Sequence, residues 1–157
     1  MTSRIQPYAV AQQAIEAMLV PTKYVTESGL EHSLQELVKI RASQINGCAN
    51  CLHMHTADAR KAGETEERIY LLNAWHESLL FTPRERAALA WTEALTLLSE
   101  THAPDADYEA LQAHFTPKEQ VDLTLLIGVI NAWNRLAVGF RTVHPNDRKG
   151  AAERKSG

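Results

Sequence analysis

The sequence has little with which to cross-link itself. Two cysteines in 157 residues are too few for a disulfide scaffold. Positive charge is also short: sixteen Lys plus Arg stand against nineteen Asp plus Glu, a net charge of −3 with no basic cluster. That balance excludes a surface built to grip nucleic acid or to dock on an anionic membrane. No stretch approaches the roughly eighteen consecutive apolar residues of a membrane span. The first twenty residues are interrupted by Gln6, Pro7, Gln12, Gln13 and Glu16, so they hold no signal-peptide core. Strand signals are nearly missing, since no alternating β-branched run is bounded by hairpin turns. Internal repeats and glycine-rich phosphate loops are absent. What remains is 45 % apolar residues in a chain of one-domain length, enough to bury a real core. The expectation is a cytoplasmic, single-domain, all-α protein over residues 1–145. A disordered tail rich in Lys, Arg, Gly and Ser is expected over 146–157.

Helix starts are well marked. Thr82-Pro83-Arg84-Glu85 and Thr116-Pro117-Lys118-Glu119 read as capping boxes with proline at the first helical position. Ser28-Gly29-Leu30-Glu31 reads as a third, and Gly63 as a C-terminal stop. These marks predict seven helices, over about 8–20, 29–43, 48–62, 65–79, 83–100, 104–114 and 117–142. The last is apolar on most sides through Leu123, Leu125, Leu126, Ile127, Val129 and Ile130. Because Asn131, Asn134 and Arg135 interrupt it, it is expected in a core or an oligomer interface. For those three polar residues, contacts of helix packing are expected.

The two cysteines sit three apart, Cys48-Ala49-Asn50-Cys51. In a reducing compartment such a pair is more often redox-active or metal-binding than structural. On a helix opening at Cys48, Cys51 falls about 60° to one side and His55 about 20° from Cys48. Ala59 and Ala62 share that stripe, while His53 and Arg60 lie opposite. The placement suits thiol chemistry. A thiol with a pKa of about 8.5 is only slightly ionised at neutral pH. A helix N-terminus favours the anion, and an imidazole one turn away can take the proton. Lowering the pKa by about two units takes roughly 2.7 kcal/mol, which dipole and imidazole together can supply. A second thiol then closes a disulfide before oxidation proceeds to sulfinic acid. On the preceding helix Glu36 lies at the edge of the stripe Leu30, Leu34, Leu37 and Val38, with Ser43 on its face. A carboxylate there could orient His55. Arg41 falls in that stripe and needs a carboxylate or helix-end carbonyls.

A zinc reading would use Cys48, Cys51 and His55 with Glu36 or His53. No second CxxC or HxxxH completes it, so no metal or other cofactor is expected. His76, next to Trp75, is expected packed or exposed, and His32, His102, His114 and His144 carry no assignment.

These residues resemble the alkyl hydroperoxidase D family, within the carboxymuconolactone decarboxylase superfamily. The matching block runs from Glu36 through Arg41, Ser43, Asn46, Cys48, Cys51 and His55 to Gly63, in the pattern Glu, then Arg-x-Ser-x-x-Asn-x-Cys-x-x-Cys-x-x-x-His. Trp75, Arg84 to Leu89 and Asn131 to Leu136 extend the likeness over about residues 30–143. The resemblance implies a helical thiol peroxidase assembling as trimers or hexamers. It implies that Cys51 attacks the peroxide, Cys48 resolves, and His55 and Glu36 relay protons. Its substrate would be an organic hydroperoxide or hydrogen peroxide, and its reductant an external dithiol or thiol protein. One departure stands out: the best-studied branch has a histidine just before the peroxidatic cysteine, where this chain has Asn50. His53 lies on the wrong face to replace it. The rival readings are a lyase like the decarboxylase branch and a redox-sensing oligomer without catalysis.

Overall fold

The computed structural model describes residues 2–148, and among these it holds nine α-helices, one 3-10 turn and no strand. They are α1 (Pro7–Val10), α2 (Gln12–Thr26), α3 (His32–Ile45), α4 (Ala49–Lys61), α5 (Glu66–Leu71), α6 (Pro83–Thr96), α7 (Leu98–Thr101), α8 (Asp105–His114) and α9 (Pro117–Phe140), with the 3-10 turn at Leu72–Ala74. The capping boxes at Thr82 and Thr116 both form, each with its threonine hydroxyl and its glutamate bonded reciprocally to backbone amides. Thr82→Ala is therefore expected to cost about 1 kcal/mol and lower the thermal midpoint by about 2–4 °C. Calorimetry checks this, and an unchanged midpoint would mean the cap adds nothing.

Other expectations need correction. The Ser28 box does not form: its hydroxyl bonds backward to Val25 O, and α3 opens at His32 without a side-chain cap. The first predicted helix is broken at Ala11 and then runs on to Thr26, through Pro21. Proline removes only one amide there, and Thr22 Oγ1 donates to Met18 O at 2.7 Å. The predicted helix over 65–79 stops at Leu71. Arg86 takes the carbonyls of Trp75, His76 and Ser78, which turns this segment around its guanidinium. The helix predicted over 83–100 breaks at Leu97, where Thr101 Oγ1 donates to Ala94 O at 2.6 Å. Residues 145–148 form a helical turn, and the rest of the tail expected over 146–157, residues 149–157, lies outside the described residues.

α3 is the organising element, packed against α4, α6 and α9. Leu34 and Val38 face one core with Trp91, Leu111, Leu123 and Ile127. Leu37 and Ile40 face another with Ile69, Leu72, Trp75 and Leu89. Glu36 and Ser43 lie beside these apolar positions and are buried where α4 and α9 pack on α3, with His55 against Glu36 and Asn134 against Ser43. α9 is long and apolar enough, by length and composition, to cross a membrane. Its buried face packs on α2, α3 and α6 and carries Asp122, Asn131 and Asn134 as well as leucines.

Candidate active site

The turn from α3 to α4 builds the thiol centre. Gly47, at φ 64°, takes the left-handed conformation that ends α3. The amide of Gly47 donates to Gln44 O and that of Cys48 to Ser43 O, closing a Schellman motif. The same turn delivers Cys48 as N-cap of α4: its Sγ accepts the Cys51 amide at 3.3 Å. Cys48 and Cys51 are bonded as a disulfide with their Cα atoms 5.4 Å apart. Both are buried, Cys48 1 % and Cys51 4 % exposed.

Asn46 ties this turn to α9. Its Nδ2 donates to Asn131 Oδ1 and Asn134 Oδ1, both at 2.9 Å. Asn134 Nδ2 in turn donates to Ser43 Oγ at 3.1 Å, and Asn131 Nδ2 to Thr96 Oγ1 at 3.0 Å. Arg135 donates to Asn131 Oδ1. Asn131 and Asn134 thus make the packing contacts expected of them, while Arg135 bonds within α9 itself.

One turn beyond Cys51, His55 Nδ1 lies 2.9 Å from Glu36 Oε2. Glu36 is 3 % exposed, deeper than the edge position its sequence placed it at. Its other oxygen accepts from Lys39 Nζ at 2.8 Å. Burial pushes the Glu36 carboxyl up, but the hydrogen bonds and charges of His55 and Lys39 outweigh it and hold the group below its ordinary range. An ionised carboxylate only accepts, so Nδ1 carries the hydrogen and Nε2 is the nitrogen left to take or give a proton. Lys39 was not singled out from the sequence, although its position three residues after Glu36 on one helix was a usable signal.

His55 and Cys51 line one cavity of about 440 Å³. Its walls are mostly apolar and come from distant segments: Tyr8, Ile15 and Leu19 near the N-terminus, and Ile130, Trp133 and Leu136 on α9. None of these wall residues carries a site assignment from the sequence alone. Trp133 is fixed by its Nε1, which donates to Thr22 Oγ1 at 2.9 Å. Asn50 reaches the same cavity, while Ala62 is exposed and not beside the thiols.

The remaining candidates lie elsewhere. His53 faces away, 2.9 Å from Asp147 and stacked on His144. His76 stacks on Trp75 and meets Glu93 at 3.2 Å. Arg41 finds the carboxylate it needs in Glu93, at 2.7 Å. For a metal, Glu36, His55 and Asp58 place ligand atoms within 4.8 Å of one another, a set without either cysteine. Lys39 and His55 already occupy the Glu36 oxygens, so a cation there would compete with a resident ammonium.

The carboxymuconolactone decarboxylase family matches residues 10–94. Uncharacterized protein YdfG of Bacillus subtilis (strain 168) is 44 % identical over 140 residues, covering 89 % of this chain and 95 % of the relative. A crystal structure from Agrobacterium tumefaciens, of a protein of unknown function with a suggested antioxidant-defence role (AhpD), matches with a TM-score of 0.90 and 46 % identity, over 92 % of this chain and 99 % of that one. An uncharacterized peroxidase-related protein from Silicibacter sp. TM1040 matches with a TM-score of 0.75 at 26 % identity, over 87 % of this chain and 72 % of that one.

Proposed function

The chain belongs to the carboxymuconolactone decarboxylase family, and from that premise and the geometry of its thiol centre we propose that it is a thiol-dependent hydroperoxide reductase. One observation carries the reading. Cys51 shares an apolar cavity with His55, while Cys48 is bonded to Cys51 and the buried Glu36 holds the far side of the imidazole. In the reduced protein His55 Nε2 takes the Cys51 proton, and the thiolate attacks the distal oxygen of ROOH. The O–O bond breaks, the proton returns to the leaving alkoxide as ROH, and Cys51 becomes a sulfenic acid. The Cys48 sulfur then attacks Cys51, expelling hydroxide that leaves as water, and the disulfide forms. An external thiol reductant supplies the two electrons that reset it. The apolar walls favour an organic hydroperoxide over hydrogen peroxide.

A cytoplasmic homo-oligomer, trimer or hexamer, is part of this reading. It is supported by apolar side chains left exposed on α2 and α9, among them Val20 at 72 % and Val121 at 65 %.

The test is an intact-mass time course of reduced protein with one equivalent of an organic hydroperoxide, with a metal assay on the same sample. The expected result is rapid loss of two hydrogens in metal-free protein, mapped to Cys48–Cys51. Unreacted thiols, or stoichiometric zinc, would set the peroxidase aside and leave the lyase or a metal site as the question.

A further inference from the structure

The disulfide is flanked by two cavities of different chemistry. The apolar one reaches Cys51 but not Cys48. A second, of about 450 Å³, reaches Cys48 but not Cys51, and its lining includes Arg4, Arg141 and the first α4 residues, Ala49 and Asn50. The two adjoin at Asn50, Ala137 and Thr142.

Thiol–disulfide exchange proceeds by attack of a thiolate on one sulfur with departure of the other. The attacking sulfur approaches in line, from the side opposite the leaving group. A thiolate arriving through the second cavity therefore meets Cys48 and expels Cys51, beside His55, in the state that the next peroxide requires. Reaching Cys51 instead would mean occupying the apolar cavity.

Charge identifies what the second cavity takes. Arg41, Arg60, Arg68 and Arg84 are each paired with a carboxylate. Among the described residues Arg4 and Arg141, like Arg86, Arg135 and Arg148, have no such partner within ion-pair distance, and of these five they are the two that line this cavity. Arg4 is held at the rim by its Nη1, which donates to Gly139 O at 2.9 Å. Arg141 ends α9 in the left-handed conformation, φ 54°, where glycine is the unstrained choice. Cys48 is 1 % exposed, so a folded partner cannot present its own sulfur to it, whereas a small thiol inside the cavity can.

We propose that this second cavity is the reductant site and takes a small anionic thiol, its carboxylate held by Arg4 and Arg141 while its thiolate attacks Cys48. The proposal rests on the thiol-peroxidase reading. In the first step RS⁻ bonds to Cys48, the Cys48–Cys51 bond breaks, and Cys51 leaves as thiolate. In the second, another RS⁻ attacks the reductant sulfur of the mixed disulfide, giving RSSR and the Cys48 thiolate. That leaving group is the N-cap sulfur that already accepts the Cys51 amide. Two thiols are oxidised by two electrons, the protein disulfide is reduced by two, and the two protons end on the protein cysteines.

The experiment follows reduction of protein oxidised with a diazene reagent, so no peroxide is involved. Probes are 3-mercaptopropionate, 2-mercaptoethanol and cysteamine, compared at equal thiolate concentration and low ionic strength. The anionic thiol is expected to react about tenfold faster than the neutral one, with the advantage fading as salt is added. In the Arg4→Glu, Arg141→Glu double variant the order should reverse in favour of cysteamine. Quenching by alkylation should place the mixed disulfide on Cys48. Equal rates for the anionic and neutral thiols in the unaltered protein, or an adduct on Cys51, would overturn the proposal. A protein that shows this selectivity yet ignores hydroperoxide would keep the site and lose the peroxidase, which separates the two failures.

Discussion

Cys51→Ser is expected to abolish hydroperoxide turnover, lowering kcat/KM by about 10³-fold or more. Cys48→Ser is expected to consume one equivalent of peroxide and stop. The asymmetry follows from place: Cys51 lines the apolar cavity with His55, and Cys48 does not. A serine hydroxyl is scarcely ionised near neutral pH, so His55 cannot turn residue 51 into a nucleophile for the O–O bond. At residue 48 a serine leaves the first attack intact but removes the resolving sulfur. The sulfenic acid on Cys51 then persists, visible as a mass gain of one oxygen and as capture by a sulfenic-specific diketone. Folding does not confuse the comparison at residue 48, because serine is a strong N-cap and retains the role Cys48 plays for α4. Normal turnover by both variants, or trapping of the acid on Cys48 in the Cys51 variant, would refute the assignment.

Glu36→Gln is expected to lower kcat/KM for hydroperoxide on the order of 10²-fold. The amide can still accept from His55 Nδ1, but it no longer offers a negative charge to the imidazolium formed when Cys51 gives up its proton. It also leaves the Lys39 ammonium, 13 % exposed, without its carboxylate. A second readout separates this charge from mere packing. The Glu36 carboxyl is held below its ordinary range in the folded protein, so its contribution to stability is fully present above the unfolded pKa, about 4.5. It is lost as pH falls through the lower, folded value. Denaturant melts of the two proteins should therefore converge on acidification below about pH 4.5, relative to their difference at neutral pH. The other carboxylates are common to both and cancel. A difference that grows on acidification would show that Glu36 is not ionised beside His55.

The parts of this molecule that were legible in the sequence are those that depend on neighbours along the chain. Cys48, Cys51 and His55 share a face because positions i, i+3 and i+7 always do on a helix, and the structure keeps them together at the head of α4. The threonine boxes formed because donor and acceptor lie within one turn. Ser28 carries the same pattern, but a serine hydroxyl can also bond backward, and it satisfies Val25 O instead. What the sequence hid is what distant residues decide. Past the 3-10 turn that follows Leu71, Arg86 gathers the carbonyls of Trp75, His76 and Ser78 from eleven residues beyond Trp75, a contact no local pattern announces. Glu36 lies at the edge of the apolar stripe of α3 taken alone, and it is the packing of α4 on α3, which sets His55 against it, that buries it. The cavity wall is more remote still, since Tyr8 of α1 and Trp133 of α9 line one space only because α1 packs on α2 and α2 on α9.

α9 raises a problem that its leucines and isoleucines cannot solve. An apolar helix lying against apolar neighbours gains nearly as much if it slides by a turn or rotates by one residue, since hydrophobic burial has no direction. The amides of Asn131 and Asn134 do have direction. Asn46, Ser43 and Thr96 are met together at one register of α9 and at no other, because a shift of a single turn would leave several buried polar groups unpaired at once. The same register fixes where Trp133 and Ala137 fall, and with them the boundary between the two cavities on either side of the disulfide. The buried asparagines thus act less as a source of stability than as an address. They specify which of many almost equivalent packings of an oily helix is the one that leaves Cys51 open on one side and Cys48 on the other.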